Sequence, residues 1–242
     1  MLNLFRSRKC VSDEVFSDLN KLSKCTEYVS KNPKTLYMMI RRAVFYVSRT
    51  KNMLSLMNVI GMSVSKSPDK TLDAVVKLLN DLPKTYREIL LKAVELLVGK
   101  RKVMDFIIRN GYEVPEEVLS SLMEGLECID VVVLGDLVSK LPTVSRSFLH
   151  TFISKALKEP LCREGMERAL ILLGQGLSTG VISGEELTKI LSDNKLKFMI
   201  IKRGGSVREI KVILNGEQLS NISSEVSLNL LKAMVASGIV KI

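Results

Sequence analysis

Five of the six prolines in this chain each open a run whose apolar residues recur at helical spacing: Pro33, Pro68, Pro83, Pro115 and Pro142. Proline at the first helical position forfeits no hydrogen bond, because that N–H has no partner inside the helix anyway. Asn32 and Ser67 stand directly before two of them, where a side-chain oxygen can cap open N–H groups. After Pro68 the residues Leu72, Val75, Val76, Leu79 and Leu82 share one helical face, as do Val118, Leu122, Leu126 and Ile129 after Pro115. Gly111 follows "FIIRN" as a helix stop. The spacing predicts about ten or eleven helices before residue 192 and no strand among them.

Two of these corners are alike. "LLNDLPKTYREIL" (78–90) and "LVSKLPTVSRSFL" (137–149) align without gaps, and "KNPKTLYMMI" (31–40) repeats the Pro-Lys-Thr. A helix ending in leucine, a proline corner and a returning helix form the unit of an α-solenoid, in which neighbouring hairpins bury one another's apolar faces. The expected fold class is therefore mainly α: an irregular α-solenoid or helical array over 1–191, then a small α+β module over 192–242.

A core of that size is available, since 46% of the 242 residues are hydrophobic. The longest uncharged runs, 52–65 and 169–184, are too short to span a bilayer. "MLNLFRSRKC" lacks the apolar stretch of a signal peptide. A soluble, cytoplasmic protein is expected. Cys10, Cys25, Cys128 and Cys162 form no CxxC, and His150 is the single histidine, so no zinc site is expected and the cysteines read as buried thiols. There are only two glutamines, Gln175 and Gln218, a bias shared with hyperthermophile proteins, in which intracellular disulfides also occur.

Catalytic constellations are sparse. His150, in "SFLHTFI", suits a helix surface or core edge better than a general base. "GQGLSTG" (174–180) has no phosphate-binding lysine and reads as a linker between helices. Glu124, Glu127 and Asp130 fall at i, i+3 and i+6 and read as a solvated acidic helix face. Neither a cofactor, a metal nor an enzymatic activity is expected.

Residues 195–242 admit two readings. In the preferred one, "DNKLKFMIIKR" is a helix stopped by Gly204-Gly205, and Ser206 and Glu209 form the capping box of a second helix. "SSEVSLNLLKAMVASGIVKI" then follows as helix, Gly238 stop and strand. On "GGSVREI" and "LLKAMVASGIVKI" this segment resembles the winged-helix family of transcription factors, which implies a recognition helix in the major groove with Ser224, Ser227 and Asn229 toward the bases. In the other reading Asn215-Gly216 is a hairpin turn between β-branched runs, giving a β-β-α-β element.

Charge is unevenly spread: residues 1–110 carry 21 Lys+Arg against 10 Asp+Glu, 111–190 carry 7 against 12, and 191–242 carry 8 against 4. A basic first half points to a polyanion, so a non-enzymatic regulator associated with DNA, RNA or a ribonucleoprotein particle is the first expectation. Its phosphate contacts would be Arg41, Arg42, Lys100, Arg101, Lys102, Arg109, Lys202, Arg203, Arg208 and Lys211. The alternative is a protein–protein scaffold: helical repeats followed by a winged helix look like the layout of PCI-domain proteins, which implies assembly through the C-terminal module, with Leu228 and Met234 at the interface.

Overall fold

The computed structural model describes residues 10–141, 145–158, 163–203, 206–219, 223–238 and 240, with the side chains of 206–210, 217 and 224 outside that description. The chain divides into two compact units, Met1–Ile107 and Ile108–Ile242. The change from helix to sheet near residue 192, expected as the domain boundary, therefore falls inside the second unit.

In the first unit, α1 (Asp13–Phe16), α2 (Leu19–Val29), α3 (Pro33–Thr50), α4 (Met53–Lys66), α5 (Pro68–Asp81) and α6 (Lys84–Leu97) form three successive hairpins, and α7 (Lys100–Arg109) begins beyond Gly99. Odd helices pack on odd (α1 on α3, α3 on α5) and even on even (α2 on α4, α4 on α6). This is the two-layer stacking of a solenoid, and it arises because no hairpin can cover its own apolar stripe. Leu36, Met39, Ile40, Ala43 and Val44 of α3 are fully buried, as are Leu56, Val59 and Ile60 of α4 and Leu78 and Leu79 of α5.

The corners follow local chemistry. Pro33 and Pro68 open α3 and α5 as expected, and the Asn32 side chain accepts from the N–H groups of Lys34 and Thr35. Ser67 does not cap; its hydroxyl donates instead to the carbonyl of Ser30, tying two corners together. Pro83 and Pro115 sit one residue earlier, at the cap, and Pro142 lies outside the described residues. Among the described residues the cysteines are not thiols. Cys10 and Cys25 form a disulfide that staples the approach to α1 onto α2, and Cys128 is likewise disulfide-bonded; Cys162 lies outside the described residues. Sequence spacing could not reveal the pairing of Cys10 with Cys25, because it depends on the turn between α1 and α2 bringing the two Cα atoms to 5.3 Å.

The second unit contains α8 (Glu116–Met123), α9 (Cys128–Ser139), α10 (Arg146–Lys158), α11 (Arg163–Ser178), α12 (Gly184–Asp193), strands β1 (Leu196–Arg203), β2 (Ser206–Leu214) and β3 (Glu217–Gln218), and α13 (Ser224–Ala236). Helix α11 is its centre, packed by α9, α10, α12 and α13. The stripe expected to run from Val118 to Ile129 breaks at Gly125, whose φ of 72° turns the chain. Val118, Leu122 and Leu126 are buried, while Ile129 belongs to the next helix and is 57% exposed. The same break separates Glu124 from Glu127 and Asp130, which form the capping box of α9 rather than one acidic face.

The helix–turn–helix expected over 195–214 does not form. β1 and β2 are antiparallel, running in register from Leu196 opposite Leu214 to Arg203 opposite Ser206, with a bulge at Ile201/Lys202. Asn215 and Gly216 take φ of 54° and 89°, the paired positive values of a type I′ turn, and lead into β3. Alternation wins over the Ser206-Glu209 cap signal because Leu196, Val212 and Leu214 are buried on one sheet face, with α12 against β1 and α13 against β2. Strands therefore stand over 196–214 where the winged-helix reading placed its first two helices.

Candidate interaction surface

Helix α3 sorts its residues by face. Its apolar stripe enters the core, and the opposite face carries Lys34, Met38, Arg41, Arg42, Phe45 and Arg49 within about 100° of arc at 100° per residue. The Arg41 guanidinium lies over the Phe45 ring at 5.6 Å, and Phe45 meets Tyr86 of α6 edge-on at 4.6 Å. On one flank, Arg42 and Arg49 share the carboxylate of Asp13 at 3.2 and 2.7 Å. Desolvation pushes the Asp13 carboxyl up, but the hydrogen bonds and charges of Arg49 and Arg42 outweigh it and leave it below the usual carboxylate range. On the other flank Tyr37 donates to Asp81 at 2.7 Å, and burial first, then that carboxylate, pushes its phenol up. Met38 is 48% exposed between these flanks.

The even-numbered layer differs. Lys66 is the single charged residue of α4, and Leu54 of α4 and Leu96 of α6 are each more than half exposed. The outer face of α3 is thus cationic with aromatic and thioether groups, whereas α4 carries a single charge, at its last residue.

The other expected phosphate contacts are dispersed. Lys100 pairs with Glu95 at 3.3 Å and is largely covered, while Arg101, Lys102 and Arg109 are exposed along α7. Lys202 and Arg203 are exposed at the end of β1, and Lys211 is half-buried in β2, opposite Met199. The side chains of Arg208 and Ser224 lie outside the described residues. Ser227 is buried and its hydroxyl donates back to the Ser223 carbonyl, so it is not offered to a base; Asn229 is exposed. Met234, expected at an interface, is in the core beneath the sheet, while Leu228 is 43% exposed. Reasoning from the sequence missed Met38, Phe45 and Arg49. The alternating four- and three-residue steps of Lys34, Met38, Arg41 and Phe45 were the available signal.

Two open pockets flank α13. One of about 370 Å³ is lined by Leu196, Phe198 and Ile200 of β1 with Leu231 and Met234, and one of about 510 Å³ runs between α11 and α13 past Gly174, Ser178, Asn229 and Ala233. Only the end of "GQGLSTG" is a linker: Gly174 and Gly176 lie within α11, where Ile182 approaches Gly176 closely, while Gly180, with φ of 73°, turns the chain beyond it. Nearby, Arg146 donates to Glu186 at 2.8 Å, and Glu186 also accepts from the Ser183 N–H. His150 is half-buried on α10. Among the described residues no group of three His, Cys, Asp or Glu side chains could hold a metal, and no helix is long and apolar enough to cross a membrane.

No protein-family model, curated protein or solved structure matches this chain.

Proposed function

We propose that this chain is a non-enzymatic helical-repeat module that works by docking other proteins. The observation that carries the reading is the two-layer hairpin stack of α1–α6, which displays whole helix faces side by side over its length. Stacked hairpins are suited to broad protein contact and offer few enclosed pockets for chemistry. Binding to nucleic acid is less well supported, since Arg42 and Arg49 already share Asp13, Lys100 pairs with Glu95, and Ser227 is buried. A cytoplasmic setting belongs to the same proposal. It accommodates the disulfides where intracellular proteins keep them, as in hyperthermophiles, and the glutamine-poor composition fits that setting.

Titration of labelled duplex DNA and single-stranded RNA against the full chain, from low to physiological salt, tests the proposal. The expected result is no specific complex and an absorbance spectrum of pure protein after low-salt purification. Tight binding whose log–log salt slope reaches about −4 to −5 would instead mean about five phosphate contacts and would overturn it.

A further inference from the structure

We propose that the outer face of α3 is a seat for an acidic, amphipathic helix of a partner protein; this rests on the docking reading above. Lys34, Met38, Arg41 and Phe45 advance by four, three and four residues, the spacing that keeps one seam of a helix facing a second helix laid along it. The seam mixes two chemistries. Met38, half exposed, and the Phe45 ring supply apolar contact, and methionine adapts to varied side chains. Lys34 and Arg41 stand seven residues apart, about 10.5 Å along the axis, and Arg42 and Arg49 repeat that interval beside them. Acidic residues one heptad apart on a partner helix match the interval, and an apolar residue between them meets Met38.

Charge complementarity selects the partner's sign. α3 carries four cations on this face and no carboxylate anywhere in its sequence. Asp13 of α1 already pairs with Arg42 and Arg49, so Lys34 and Arg41 on the seam itself are the cations that would meet a partner's carboxylates. Spacing selects protein over nucleic acid. A duplex presents about one charge per 1.7 Å, far denser than cations spaced one heptad apart along a single seam.

The test uses the full chain and a fluorescein-labelled helical peptide of three Leu-Glu-Ala-Ala-Leu-Glu-Glu heptads, read by anisotropy at low salt. A second peptide has every leucine replaced by alanine. The expected result is saturable binding of the leucine peptide, weakened about tenfold or more by Arg41→Glu and by Met38→Asp, and little changed by Lys66→Glu on α4. Circular dichroism checks that each variant is folded, and Arg41→Ala serves if Arg41→Glu is not. Absence of binding, equal loss with Lys66→Glu, or equal affinity for the alanine peptide overturns the α3 seat. Failure here with no nucleic-acid binding leaves the docking reading standing on another face. Steep salt-dependent binding of DNA or RNA removes both.

Discussion

Two glycines two positions apart on α11 should respond differently to alanine. A Cβ on Gly176 would lie 2.6 and 2.7 Å from Ile182 Cδ1 and Cγ1 and 3.0 Å from Leu149 Cδ2. Ile182 and Leu149 are themselves buried, so neither can swing into solvent. Overpacking of this kind costs about 1–3 kcal/mol, while replacing a mid-helix glycine by alanine returns about 0.8–1 kcal/mol of helix propensity. Gly176→Ala should therefore lose up to about 2 kcal/mol net. At Gly174 the nearest atom to a new Cβ is Leu230 Cα at 3.6 Å, an ordinary contact. Only the propensity gain remains, and Gly174→Ala should be neutral or stabilising by up to about 1 kcal/mol. Urea unfolding followed by circular dichroism at 222 nm measures both, and thermal midpoints should separate by several degrees, at about 2–4 °C per kcal/mol. If Gly174→Ala destabilises as much as Gly176→Ala, or Gly176→Ala stabilises, the close approach of Ile182 to α11 is refuted.

Replacing Cys25 by serine reopens a loop of 15 residues and should cost about 3 kcal/mol, seen as a lower urea midpoint. Glu186 is held at about 2, first by the hydrogen bond from Arg146 and then by the Ser183 N–H. Its folded value is depressed, so its contribution is complete above about pH 4.5 and is lost as pH falls toward 2. Because Arg146 is 62% exposed, screening limits that contribution to roughly 1 kcal/mol. Glu186→Gln, which can keep the capping geometry, should flatten the acid limb of a stability–pH curve by that amount and change little at its low-pH end. Gly216→Ala meets no atom within 4 Å, yet its φ of 89° should make it cost about 1 kcal/mol, measurable by the same urea assay.

Local signals settled the helical part of this chain. Proline at a first turn, the Asn32 cap and the stripe of Val75, Val76, Leu79 and Leu82 involve residues within a few positions of one another, so the sequence alone fixes where α3 and α5 start and which face of α5 is buried. Non-local contacts decided the remainder. Segment 196–214 carried a helix cap and a strand alternation together, and only the cover of α12 and α13 over Leu196, Val212 and Leu214 made the strands win. Gly176 read as part of a linker until Ile182, from beyond the end of α11, arrived to need the space a missing Cβ leaves. The cations divided likewise: total charge is a sum over sequence, but whether an arginine is held by Asp13, as Arg42 and Arg49 are, depends on a helix folded back from another part of the chain. Periodicity is a property of neighbours in sequence, whereas cover, pairing and close approach belong to neighbours in space.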